Sequence, residues 1–174
     1  LWGYSHSMSE IKSENPEFHL GCLNSLVFDY LLRCKLNSNF ITHSVLHQCP
    51  LPNLENVDKQ SINIVNRNVI ELSYTCWDIK FYADDFWKKI DEDLRSKIKN
   101  QWAENKFITG GHDWNPPEWC DIEKEGCPLP PFKWDGDRRA VLKAELDAIY
   151  AKLYGLTTDE LRYILDPQDV YGPD

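Results

Sequence analysis

A chain of 174 residues, 42% of them hydrophobic, has enough apolar material for a packed core in one domain or one and a half. A formal net charge of −9 argues against a stand-alone nucleic-acid binder, which needs a basic face, though not against an acidic part of a larger DNA-binding protein. No apolar run is long enough to cross a membrane.

In chain order, residues 1–19 read as a loop, from Pro16 and the Ser, Asn and Glu content. The opening LWGYSHSMSE has no signal-peptide pattern and reads as the interior of a longer protein. Leu20 to Leu36 reads as a helix: Leu23, Val27, Tyr30 and Leu31 share a face that Leu26 and Phe28 widen, and Asn24 or Ser25 can break or cap it early. The polar turn Asn37-Ser38-Asn39 follows. Phe40 to Gln48 fits a helix or a strand, with a helix preferred, and Pro50 and Pro52 force an extended exit. Pro52 to Asn68 reads as a polar connection around a short apolar piece, Ile62 to Val65.

Val69 to Tyr82 is rich in apolar and aromatic residues, and the alternation at 70, 72 and 74 fits a strand as well as a helix. From Phe86 to Ile108, Trp87, Ile90, Leu94, Ile98 and Trp102 recur at helical spacing. The opposite face mixes Lys88, Lys89, Arg95, Lys97 and Lys99 with Asp91, Glu92 and Asp93, as a solvated face does. Residues 109–137 are irregular: Gly110, Gly111 and five prolines between 116 and 131 rule out long elements. Trp114, Trp119, Trp134 and Phe132 are expected to pin this loop onto the helices.

Arg138 to Pro167 is the clearest structure in the chain, a helical hairpin. Leu142, Leu146, Ile149 and Leu153 fall at i, i+4, i+7 and i+11, one apolar stripe, while Arg139, Lys143, Asp147 and Lys152 lie off it. Asp135 or Asp137 can cap its start near Arg138, and Gly155 suits a left-handed C-terminal cap. Thr157 and Glu160 form a capping box for the second helix, Leu156 and Leu161 can staple across it, and Pro167 closes it. Such a hairpin is first of all a packing unit.

The run AELDAIYAKLYGLTTDELRYILDPQDVYGPD, from Ala144 on, resembles the C-terminal region of large bacterial adenine-N6 DNA methyltransferases. These are the type IIG restriction–modification enzymes and their relatives in phage defence. They typically end on an Ala-Glu-Leu-Asp helix, then Leu-Tyr-Gly-Leu, then Tyr-Ile-Leu-Asp. CLNSLVFDYLLRCKLNSNFITHSVLHQCPLP, Cys22 to Pro52, resembles a segment near the end of their target-recognition region. VIELSYTCWDIKFYADDF, Val69 to Phe86, resembles the link between the two, a helix followed by a loop. The three stretches follow the family's order and cover about half the chain.

The resemblance implies a division into residues 1–56, the end of a target-recognition-like region, and 57–174, a C-terminal helical region. It implies that the intact protein transfers a methyl group from S-adenosylmethionine to adenine N6, marking self DNA in the cytoplasm. The cofactor and the catalytic motif belong to the preceding part of such a protein. For this chain it implies a bracing role whose partner is the rest of the enzyme, with DNA reached through the intact protein. Arg33 and Lys35 are the candidate contacts to DNA backbone, since basic side chains there position phosphates; the plainer reading is solvated charge at a helix end.

Three constellations could carry chemistry. Asn115-Pro116-Pro117 echoes the Asn-Pro-Pro-aromatic motif of adenine methyltransferases, whose Asn accepts from the target amino group while the ring stacks on the flipped base. Here Glu118 replaces the ring, Trp119 comes one residue late, and no Gly-rich loop lies upstream, so a proline turn is the better reading. Catalysis by this chain alone would require Asn115 to be buried beside an adenine-sized pocket. His43 and His47 with Cys49, and His112 with Cys120 and Cys127, lack the paired spacing of structural zinc and read as packing or surface residues, so no metal is expected. No nucleophile elbow or phosphate loop occurs, and Asp84-Asp85 and Asp91-Glu92-Asp93 read as helix-start charges. The six cysteines show no regular spacing, and several sit within apolar patterns, which suggests reduced, buried thiols.

The sequence thus predicts a mainly α fold with a C-terminal helical hairpin, a long Pro/Trp-rich loop and few or no strands. A second reading makes the chain a free-standing subunit that docks on a methyltransferase or helicase partner. An exposed apolar patch near Trp2 and Tyr4, or along the first helix, would suit either a fragment or a subunit.

Overall fold

The computed structural model describes residues 13–36 and 40–166. Residues 1–12 with Trp2 and Tyr4, the Asn37–Asn39 turn and Pro167 lie outside them. The fold is mainly helical, as the sequence predicts. Eight α-helices are joined by loops and two short 3-10 turns, with no strand among the described residues. No helix there is long and apolar enough to cross a membrane. The chain divides into two compact units: one takes residues up to Val57 together with those from Leu146 on, and the other runs from Asp58 to Glu145.

In the first unit, helix α1 spans Pro16–Leu23 and α2 spans Leu26–Lys35. The loop expected through residue 19 therefore ends earlier, because Pro16 sits in the first turn of α1, where its missing N–H costs nothing and its fixed φ suits a helix. The single helix expected from Leu20 is two. Ser25, 1% exposed, leaves the helical conformation, accepts from the backbone N–H of Phe28 at 3.3 Å and donates to the Cys22 carbonyl at 2.7 Å. A single helical turn, α3, His43–Leu46, is capped by Thr42.

The rest of this unit is the end of the chain. Helix α7, Gly136–Leu153, contributes Leu146, Tyr150 and Ala151 to the core, and α8, Thr158–Leu165, follows it. Tyr150 is fully buried; its ring lies 5.6 Å from that of Phe18 and its hydroxyl donates to the Phe18 carbonyl at 2.6 Å. The Leu26 N–H donates to Asp147 Oδ1 at 2.8 Å, and the Tyr154 hydroxyl to the Pro50 carbonyl at 2.7 Å. The turn from α7 to α8 carries the caps the sequence predicts. Gly155 has φ +73° and the Leu156 N–H reaches back to the Ala151 carbonyl at 3.0 Å, while Thr157 and Glu160 close a reciprocal capping box.

In the second unit, α4 spans Lys59–Ser73, α5 Lys80–Lys89 and α6 Glu92–Thr109. Much of the expected 52–68 connection is thus helix, started by Asp58 accepting from Ser61 N–H at 2.9 Å. The residues from Val69 continue that helix rather than forming a strand. The long helix expected from Phe86 is broken at Ile90, where Asp91 accepts from the Leu94 N–H at 2.9 Å and restarts the chain as α6. Ile70, Tyr74, Ala83, Phe86, Trp87, Leu94, Ile98, Cys127 and Phe132 form the core. Each fully buried ring among them contributes roughly 2–3 kcal/mol.

Of the loop's rings, Trp114 meets Trp77 edge-on, and the buried pin is Phe132. It is 1% exposed, whereas Trp119 and Trp134 are 61% and 65% exposed. Hydrogen bonds do the remaining anchoring: Phe132 N–H to the Tyr74 carbonyl at 2.8 Å, Trp102 Nε1 to the Pro130 carbonyl at 3.0 Å, and the Tyr74 hydroxyl to the Leu129 carbonyl at 3.2 Å. A proline-rich segment has few N–H groups to give a ladder, so the helices answer its carbonyls with side chains.

Candidate functional site

The polar interior of the second unit centres on Glu71, 3% exposed on α4. Its carboxylate accepts from Gln101 and from Asn105 (3.0 Å) on α6, and from Arg138 on α7 through both Nε and Nη2 (3.0 Å). Such a two-point guanidinium–carboxylate pair is the strong form of this contact. Asn105 also brackets Lys133, accepting from its N–H and donating to its carbonyl, each at 3.0 Å. The hydrogen bond from Arg138 to Glu71 raises the guanidinium pKa further, against the opposing effect of burial.

Beside this network lies an open groove of about 480 Å³, lined from α4, α6 and α7. Four carboxylates, Glu104, Asp135, Asp137 and Glu145, face two guanidinium groups, Arg67 and Arg138. Ile108, Val141 and Leu142 supply its apolar lining. Asn68, fully buried, donates to Glu145 at 2.8 Å, and Arg67 Nη2 lies 3.9 Å from the same carboxylate. Arg67 Nε and Asn68 Oδ1 are buried with no hydrogen-bond partner. The lining holds no histidine, cysteine, serine or lysine; what the groove offers is carboxylates, guanidinium groups and apolar contact.

A second buried pair, Lys80 and Asp84, lies on α5, 3% and 1% exposed. Asp84 also accepts from the Cys127 N–H at 2.7 Å, which ties the loop to the helix. Asp84 is therefore an interior anion and not a helix-start charge; Asp91, Glu92 and Asp93 do occupy the start of α6. Lys80 lies 5.7 Å from the centre of the Trp114 ring, which meets Trp77 edge-on at 5.3 Å. Burial pushes the Cys127 thiol up to about 11 and the Tyr74 phenol well above its usual value.

Arg33 and Lys35 are exposed in the last turn of α2. Arg33 is engaged by Asp29, one turn back, at 2.7 Å. Asn115 is exposed and does not line the groove; Pro116 and Pro117 lead into a turn closed by the Cys120 N–H on the Pro117 carbonyl at 2.9 Å. His43, His47 and His112 are exposed, and among the described residues no group of three His, Cys, Asp or Glu side chains is placed to hold a metal. All six cysteines are free; Cys22, Cys49 and Cys127 are buried, as the apolar settings of several of them suggest, while Cys34 and Cys76 are exposed.

The Glu71 network is not singled out by the sequence reading, although a signal for part of it exists. Leu94, Ile98, Gln101 and Asn105 fall at i, i+4, i+7 and i+11, so two amides continue the apolar line of α6. Polar residues in phase with a buried stripe need buried partners. Compared with known proteins, the chain matches no family model, no curated protein and no solved structure.

Proposed function

We propose that the chain is the non-catalytic C-terminal region of a bacterial adenine-N6 DNA methyltransferase of the type IIG restriction–modification and phage-defence kind. In that setting it braces the target-recognition region, in the cytoplasm. S-adenosylmethionine and the methyl-transfer chemistry belong to the preceding part of such a protein, and DNA is met through the intact enzyme, with Arg33 and Lys35 as backbone contacts. The observation that supports this reading most is where the family-like residues fall. The three stretches carry much of the buried interior: Val27, Phe28 and Leu32; Val69, Ile70, Glu71, Tyr74, Ala83 and Phe86; Leu146 and Tyr150. The resemblance therefore concerns residues that hold a scaffold together, while the motif-like Asn115 is exposed.

Reading the gene upstream of Leu1 tests the proposal. An open frame running into a Gly-rich cofactor motif and an Asn-Pro-Pro-aromatic motif is the expected result. A start codon immediately before Leu1 would sink it in favour of a separate subunit. That second reading has its own support in the exposed rings of Phe107 (91%), Trp119 and Trp134, which suit contact with a protein. Labelled methyl transfer to a DNA duplex gives a biochemical check: the full-length enzyme is expected to be active and the isolated chain inactive.

A further inference from the structure

The groove between α4, α6 and α7 has an unbalanced charge. Arg138 is neutralised from within by Glu71, which is buried and does not line the groove. Arg67 lies beside Glu145. Asp135 caps α7, accepting from the Arg138 N–H at 2.9 Å. Glu104, its side chain 68% exposed, makes only a 3.6 Å contact with Arg138, and Asp137 is exposed in the first turn of α7. The solvent side of the groove is therefore negative. Its apolar wall is open as well: Ile108 and Val141 are 58% and 59% exposed.

We propose that this groove is a docking site for a basic, amphipathic segment of a partner protein. Lysine or arginine heads of that segment meet Glu104 and Asp137, while its apolar side chains and the aliphatic stems of its cations lie on Ile108, Val141 and Leu142. Long cationic side chains suit such a surface, because their stems cover apolar area while their heads stay at the wet rim. Phosphate groups are disfavoured by the same carboxylates, so the occupant is a peptide and not nucleic acid. The inference is independent of the gene context proposed above, since it rests on this groove alone.

The test is fluorescence anisotropy with a labelled amphipathic Lys/Leu helical peptide added to the whole chain at low salt. Binding is expected. Glu104→Gln with Asp137→Asn should weaken it about tenfold, the effect of losing two partly exposed ion pairs. Val141→Ser should weaken it severalfold, and raising the salt should weaken it in every variant. As a control, Asp121→Asn with Glu125→Gln removes the same charge from the exposed loop and should leave the affinity unchanged; thermal melts report that each variant is folded. Equal weakening by the control pair, equal binding of an all-lysine peptide, or tighter binding of a labelled DNA duplex would each overturn the proposal.

Discussion

Replacing Glu71 by Gln tests how the second unit holds its interior. Three side chains donate to that carboxylate: Gln101, Asn105 and the Arg138 guanidinium. A glutamine keeps one acceptor oxygen and turns an NH2 group toward donors. The Arg138 side chain, 13% exposed, is left with Glu104 at 3.6 Å as its counter-charge. Breaking a buried pair by removing one partner costs about 3–5 kcal/mol, and the exposed Glu104 moves the expectation to the low end, about 3 kcal/mol. Tryptophans 77, 87, 102, 114, 119 and 134 all lie between Asp58 and Glu145, so their fluorescence follows this unit in urea. The midpoint should fall by about 1–2 M with an unchanged slope. Glu71→Leu combined with Arg138→Met should cost at least about 1 kcal/mol less than the two single losses added together. A Glu71→Gln protein within about 1 kcal/mol of the parent would refute the argument, because the pair would then contribute no more than a surface contact.

The remaining predictions probe the loop, the helix starts and the thiols. Asp84→Asn leaves the Lys80 ammonium buried and unbalanced; it should cost about 3–5 kcal/mol and speed tryptic cleavage at Lys124, read by mass spectrometry. Asp91 is held below its ordinary value of 3.8, first by the Lys59 side chain and then by the Leu94 N–H. A carboxylate depressed in the folded state stabilises above its unfolded pKa and loses that effect as the pH falls through the folded one. The stability gap between the parent and Asp91→Asn should therefore be present above pH 3.8 and close below it, in urea melts taken across that range. A thiol reagent at mildly alkaline pH should modify Cys34 and Cys76 rapidly and Cys22, Cys49 and Cys127 only on unfolding, by peptide mapping.

Sequence patterns reach about as far as a helical turn, and their successes and failures divide on that scale. The start of α8 was legible because Thr157 and Glu160 are three residues apart, and the end of α7 because Gly155 alone carries the left-handed cap. The break at Asp91 carries the same kind of local signal but sits inside a run of apolar residues at helical spacing, Trp87 to Trp102, which outweighed it. The loop after Gly110 was legible as irregular from its prolines. Its anchors were not, because they are carbonyls and N–H groups answered by Asp84, Trp102 and Asn105, whose identities say nothing about which backbone atom they meet.

By itself the sequence determined the helical class and the caps at Ser25, Asp135, Gly155 and Thr157, all of which depend on neighbours within a turn. Only the tertiary structure decided which charges go inside. Glu71 finds Gln101, Asn105 and Arg138 at 30, 34 and 67 residues' distance along the chain, and nothing local to any of them names the others. It also decided that the residues from Leu146 on join those before Val57, and that the carboxylates of α6 and α7 share one groove. A buried charge must be paired wherever the chain can supply a partner, and that partner is chosen by how the helices pack.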